Sequence, residues 1–190
     1  MQVRVKSGQN ISEPVSATEF KTFVGYSGTD QDSLITSLIT AAREFLESET
    51  GLSCVSKSYQ CEFDRWDMIS DDLSRIGYNG YDDGWFRLPF SPVTSITSVE
   101  IASVATTYSQ RGLKTVEIHP DTVIQTGTTG NICEVEFVAG EYNGTMKNAI
   151  LRIVSDLFNN REDNVSDVSM SSLSFDTQRL ISGLSINTGF

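Results

Sequence analysis

The hydrophobic period changes twice along this chain, and that change constrains the fold more than any other feature. Leu34, Ile35, Leu38, Ile39, Ala42, Phe45 and Leu46 recur at helical spacing and form one apolar stripe. From about Ser53 to Glu141 the period drops to two. Tyr59, Cys61 and Phe63 alternate with Gln60 and Glu62, and Cys133, Val135 and Phe137 alternate with Glu134 and Glu136. Such alternation marks strands with one buried face. A helical stripe then returns in Met146, Ala149, Ile150, Ile153, Val154, Leu157 and Phe158. Two amphipathic helices flanking a strand block specify an α+β fold. We expect a small helical bundle, its two main helices packed together against or beside an inserted antiparallel β-sheet, with an extended C-terminal arm.

Local signals place the elements. Ser16-Ala-Thr-Glu19 reads as a capping box, with Val15 and Phe20 spaced as a hydrophobic staple. Gly25 suits the end of that short helix, so it spans about 16–24. Asp30 or Asp32 can cap the second helix, about 31–50, and Gly51 fits its left-handed end. The third spans about 145–161. Within the strand block, 85–88, 93–101, 115–118 and 122–125 are further strand candidates. Pro89 and Pro92 should place a turn or sheet edge, and Gly127, Gly130 and Asn131 mark another turn. Past Arg161 the composition shifts: residues 162–178 are rich in Ser, Asp and Asn and read as a linker or extended arm. Apolar residues return at Leu180, Ile181, Leu184, Ile186 and Phe190, and the first three are spaced for one side of a short helix. The chain therefore divides into a main domain, 1–161, and an arm, 162–190. There is no internal repeat.

A length of 190 residues matches one such domain with a tail, and 38% hydrophobic residues is low enough to leave part of the chain outside the core. The formal net charge of −11 with no Lys or Arg run makes a general DNA binder a poor reading, because that affinity rests on cations displacing counterions from phosphates. Three scattered cysteines, Cys54, Cys61 and Cys133, with one histidine give neither a disulfide framework nor zinc spacing. Buried reduced thiols are expected. The basic residues of Met1-Gln-Val-Arg-Val-Lys6 are followed by no apolar run, so no signal peptide is read there. No stretch approaches the ~20 apolar residues of a membrane span. The glycosylation-type triplets at Asn10, Asn143 and Asn164 are then chance matches.

The residues that could carry chemistry each have a plainer reading. His119 could serve as a general base, but no nucleophile motif accompanies it, and it precedes Pro120 as a turn residue would. Glu62, Asp64, Asp67, Asp71, Asp72, Asp82 and Asp83 face only Arg65 and Arg75, which invites calcium. EF-hand spacing is missing, and a solvated loop accounts for the charges. Trp66, Tyr78, Tyr81 and Trp85 in and beside that loop can be interface anchors, or can pin the loop to its own sheet. Gly127-Thr-Thr-Gly130 is too short for a phosphate loop and no Lys follows. Arg161-Glu162 is accounted for by a cation favouring a helix C-terminus, and is also a candidate contact. No cofactor or metal is expected, and no catalysis.

Three stretches, in order, resemble the head–tail connector (adaptor) family of long-tailed phages. Asp30-Gln-Asp-Ser-Leu-Ile-Thr-Ser-Leu-Ile-Thr-Ala-Ala-Arg43, running on to Glu49-Thr-Gly51, is similar to the family's opening helix. Leu88-Pro-Phe-Ser-Pro-Val-Thr-Ser-Ile96 resembles the stretch that enters its strands, and Asn148-Ala-Ile-Leu-Arg152 through Phe158-Asn-Asn-Arg-Glu162 resembles its closing helix. The likeness covers roughly residues 15–162. It departs from the family in the long acidic loop 64–84 and in the C-terminal sequence Arg179 to Phe190. The resemblance implies a non-catalytic virion protein that forms a dodecameric ring under the portal in the phage neck, assembled in the host cytoplasm. It implies partners: the portal ring, neighbouring copies and the next neck or tail protein, with DNA passing through the channel without specific binding. The implied portal contacts are Arg179, Leu180, Ile181, Leu184, Ile186 and Phe190. Trp66, Tyr78, Tyr81, Arg161 and Glu162 are the candidate contacts to subunits or tail proteins. The alternative is another neck or tail-completion protein or a non-catalytic recognition module.

Overall fold

A computed structural model describes residues 2–9, 11–63, 85–112, 116–120, 132–159 and 173–184. Its contacts divide the chain into two compact units, one within Met1–Asn10 and Ser56–Gly140, the other within Ile11–Val55 and Glu141–Thr188. The first holds strands and the second helices, so the fold is α+β with an antiparallel strand block between two main helices in the chain.

The helical unit comprises α1 (Ala17–Val24), α2 (Asp32–Thr50), α3 (Gly144–Asn159) and α4 (Phe175–Leu184). The capping box at α1 forms as its sequence specifies. Glu19 N–H donates to Ser16 Oγ at 3.2 Å and the Glu19 carboxylate accepts from Ser16 N–H at 2.9 Å. Val15 and Phe20 are both buried, and Gly25 closes the helix at φ 71°. Ser16→Ala should therefore cost about 1 kcal/mol in urea unfolding, and no measurable loss would mean the cap is decorative.

The start of α2 departs from expectation. Gln31 occupies the N-cap and no side chain caps it; Asp32 lies inside the first turn and accepts from Lys21 Nζ at 2.8 Å. Gly51 ends the helix at φ 68°, as expected. Asn143, which gave no signal in the sequence, starts α3: its Oδ1 accepts from both Thr145 and Met146 N–H at 3.0 Å. The stripes of α2 and α3 face each other, and Ile35, Leu38, Ile39, Ala42, Leu46, Met146, Ala149, Ile150, Ile153 and Val154 share one core with Phe20 of α1. Phe158 packs edge-on against Phe20 and Tyr26, with centroids 5.5 and 5.9 Å away.

Lys147 of α3 donates to Glu19 of α1. That bond, with the Ser16 N–H and hydroxyl, holds the Glu19 carboxyl down to about 2 from an ordinary value of 4.5. The unfolded chain thus takes up this proton first. The stabilisation is fully present above about pH 4.5 and is lost as pH falls toward 2. Between those limits the wild type should lose more stability than Glu19→Gln; equal losses would remove Glu19 from the acid response.

The other unit contains β1 (Gln2–Val5), β2 (Lys57–Phe63), β3 (Phe86–Arg87), β4 (Val93–Ile101), β5 (Val104–Ala105), β6 (Tyr108–Arg111), β7 (Glu117–Pro120) and β8 (Cys133–Ala139). They form a five-stranded antiparallel sheet, β1-β2-β8-β4-β5, and a three-stranded one, β3-β7-β6. Alternation in β2 and β8 appears as expected: every second residue from Lys57 to Phe63 and from Cys133 to Ala139 is buried. The two sheets share a core, with Phe86, Leu88, Val116 and Ile118 joining Tyr59, Cys61, Phe63, Val135 and Phe137. Phe90, at φ 64° in the bend after Pro89, stacks on Tyr59 at 4.5 Å. The strand at 93–101 stands at the expected residues, and that read at 115–118 is shifted to Glu117–Pro120. The candidate strand 122–125 and the turn at Gly127, Gly130 and Asn131 lie outside the described residues.

Candidate functional site

The groups that might have carried catalysis are engaged in packing. The Cys61 and Cys133 thiols lie in the sheet core, where burial pushes both up to about 12, and Cys54 is buried among the helices. His119 lies beside the Trp85 ring at 5.4 Å. The Arg111 guanidinium sits 4.2 Å over the same ring and Arg111 Nε donates to Glu117 at 2.6 Å. This places an indole, an imidazole, a guanidinium and a carboxylate together on and beside the three-stranded sheet as a packed cluster. Among the described residues no three His, Cys, Asp or Glu side chains converge to hold a metal ion, and no described helix is long and apolar enough to cross a membrane.

A charged cluster lies inside the helical unit. Arg43 sits in the α2 stripe and is 4% exposed. Its Nε donates to Glu13 at 2.9 Å and its Nη1 to Glu47 at 2.8 Å, one helical turn along; Nη2 reaches the exposed Glu44 at 3.2 Å. Glu47 also accepts from Cys54 N–H at 2.9 Å, and Glu13 from Thr40 Oγ1 at 2.9 Å. Desolvation works against the buried guanidinium. The Glu13 hydrogen bond and the charges of Glu47, Glu13 and Glu44 outweigh it, so Arg43 holds its proton more tightly than usual. The cluster ties the segment before α1 and the turn after α2 to one helix.

The segment assigned to portal docking is placed differently from a free arm. Ser174 precedes α4, and Asp156 of α3 accepts from Ser174 N–H at 3.1 Å, Ser174 Oγ at 3.0 Å and Thr177 Oγ1 at 2.8 Å. Leu173, Thr177 and Ile181 are buried, and Leu180 and Leu184 pack half-buried on the same core. Arg179 points to solvent. The spacing of Leu180, Ile181 and Leu184 on one helical side is as expected. The linker reading of 162–178 is corrected over its described part, 173–178, because a helix begins at Phe175 where Ser174 and Asp156 supply its start and clasp. Ile186, Phe190, Trp66, Tyr78, Tyr81, Arg161 and Glu162 lie outside the described residues, as does most of the acidic loop.

Exposed apolar side chains supply surface that the sequence reading missed. Among the described residues these are Phe175 (74% exposed), Phe23, Tyr142 and Ile11 in the helical unit, and Val3, Val5, Val104 and Ile132 in the sheet unit. Phe175 falls in the stretch whose composition reads as a polar linker, and the Val-Arg-Val alternation near the N-terminus is the available signal for β1.

No family model and no curated protein matches this chain. Solved structures do. A chain from the neck of an empty gene transfer agent particle computed with C6 symmetry is 17% identical and has a TM-score of 0.68. One from the virion of a native gene transfer agent particle is 17% identical, TM-score 0.66, and one from a native particle neck computed with C12 symmetry is 16% identical, TM-score 0.64. Each comparison covers 97% of this chain and 95% of the other. At that identity the likeness is one of fold.

Proposed function

We propose that this chain is a structural, non-catalytic subunit of the neck of a tailed phage or phage-like particle. In this reading it is a head–tail connector that forms a ring under the portal, extends the DNA channel and presents a docking surface to the next neck or tail protein. The observation that supports this most is the fold likeness over 97% of the chain to proteins of gene transfer agent necks, particles computed with six- and twelve-fold symmetry. Of the three connector-like stretches, the first lies on α2, the second leads into β4, and the described part of the third lies on α3, which supports the reading. Mixing the protein with portal rings and imaging the product tests the reading. Twelve copies seated on each portal are expected. Failure to bind any portal from its own particle, with normal tail joining in its absence, would overturn it.

The net charge of −11 suits a channel that DNA slides through, since phosphates are repelled rather than gripped. An electrophoretic shift at physiological salt should show no complex with duplex DNA tighter than about 1 µM, a limit set by ordinary non-specific binding.

A further inference from the structure

Both faces of the five-stranded sheet run unfinished to its edges. On the inner face the register sets Val5, Tyr59, Phe137 and Ile96 in one row and Val3, Cys61, Val135 and Val99 in the next. The middles of these rows are buried, whereas Val3 and Val5 are 36% and 46% exposed at the β1 edge. A third row, Phe63, Cys133, Ile101 and Val104, ends at the opposite edge in Val104, 68% exposed.

The backbone is open at the same places. Lys6 N–H donates to the Ser58 carbonyl, and Arg4 is opposite Gln60 in the same register. Alternate residues of an antiparallel strand face opposite ways, so Val3 and Val5 turn their N–H and C=O groups away from β2. Beyond β1 no strand follows among the described residues. At the other edge β5 pairs only with Glu100 and Ile101, leaving residues 93–98 of β4 as the border, where Thr94, Ser95 and Thr97 are exposed.

Charge distinguishes the two edges. On the outer face Glu62, Glu134 and Glu100 stand side by side across three strands, an arrangement that is unfavourable between like charges. At the β1 end Arg4 pairs with Glu62 at 3.1 Å and Lys6 with Glu136 at 2.6 Å. At the β4 end no ion pair reaches Glu100 among the described residues. The β1 edge is basic, and on the same face the carboxylate Glu100 stands just past the uncharged open stretch 93–98 of β4.

Direction also fits. Neighbouring strands alternate in the order β1-β2-β8-β4-β5, so β1 and β4 run oppositely. A second copy in the same orientation brings its β1 antiparallel to the open stretch of β4. We propose that the sheet continues from copy to copy: β1 of one copy pairs with residues 93–98 of the next, setting Val3 and Val5 beside the neighbour's Ile96 and Arg4 toward the neighbour's Glu100. Each copy uses a different edge, so the contact is heterologous and closes into a ring where the rotation allows. It rests on the ring reading above for closure only. It also covers two strand edges that would otherwise invite uncontrolled pairing.

The test uses Val5→Cys and Thr97→Cys, both at exposed positions, in a chain whose own three cysteines are buried. The full chain is treated with a short bismaleimide at the highest soluble concentration. Each variant alone should stay monomeric, their mixture should give dimers only, and the double variant should give a ladder. Dimers from Val5→Cys alone, which signal two-fold pairing of like edges, would overturn the proposal, as would no dimers in the mixture. Arg4→Glu and Glu100→Arg should each cut the yield about tenfold and together restore it. Failure of that rescue in variants with unchanged circular dichroism would also overturn it. Rings seen by electron microscopy without linked edges would reject this interface and keep the ring reading; linked edges forming open filaments on a portal would do the reverse.

Discussion

Arg43→Met is expected to lower the unfolding free energy of the helical unit by about 3 kcal/mol. Removing one partner of a buried ion pair typically costs ~3–5 kcal/mol, because the remaining charge stays buried without compensation. Here the stranded charges would be Glu47, whose side chain is 8% exposed, and Glu13, 24% exposed. Glu44 is 65% exposed and loses almost nothing, which places the cost near the lower end. A domain of this kind has ~5–15 kcal/mol in all, so the loss would be evident as a shifted urea midpoint followed by helical circular dichroism. Arg43→Met combined with Glu47→Leu and Glu13→Gln should recover much of it, since an apolar replacement of the whole cluster is often neutral. A loss under about 1 kcal/mol in the single variant would mean that water reaches the cluster and screens it.

That cluster also marks where reading the sequence stops. Leu38, Ile39, Ala42, Phe45 and Leu46 announce α2 by their period, but the same period carries Arg43 and Glu47 inward without saying so. Arg43 and Glu47 at i and i+4 read as an ordinary surface pair. What makes the pair internal is Glu13, thirty residues earlier, and no local pattern ties it to α2. Legibility followed range. The capping box at Ser16 and Glu19, the left-handed ends at Gly25 and Gly51 and the alternation in β2 and β8 are all local, and all are present. The division of the strands into two sheets depends on pairings such as Arg87 with Glu117 and Val3 with Cys61, which only the folded chain selects.

The candidate contacts were legible in the same measure. A helix with Leu180, Ile181 and Leu184 on one side could be read from spacing. Where that side goes could not, because a short apolar stripe fits a partner's groove and the chain's own core equally well. Asp156 decides it for this chain: one carboxylate oxygen takes three hydrogen bonds from the residues that open α4. Edge complementarity was invisible for another reason. Arg4 and Glu100 become opposite ends of one face only after β2, β8 and β4 are set in register.

Ile181→Ala should raise amide exchange in α4 by about 30- to 4000-fold while moving the global unfolding midpoint much less. Truncating a buried Ile to Ala costs ~2–5 kcal/mol where the site cannot yield, and each ~1.4 kcal/mol is a tenfold change in an opening equilibrium. Ile181 is 2% exposed, so the full penalty falls on the docked helix. The rest of the fold feels it only up to the free energy of undocking α4, because beyond that point the helix leaves and the remaining core persists. Ile150 in α3 provides the comparison, being wholly buried between the main helices. Ile150→Ala should lower the global midpoint by its full cost, with no such ceiling. If the two variants lower it equally, α4 belongs to the same cooperative unit as α2 and α3, and residues 179–184 are not released to a portal. If α4 of the wild type already exchanges like an unfolded peptide, the Asp156 clasp does not hold in solution. The intermediate result, a protected helix that opens before the core does, is the one expected. It would make Asp156→Ala, which leaves Ser174 and Thr177 without their acceptor, the variant that frees the C-terminal segment for a partner while the helical core stays folded.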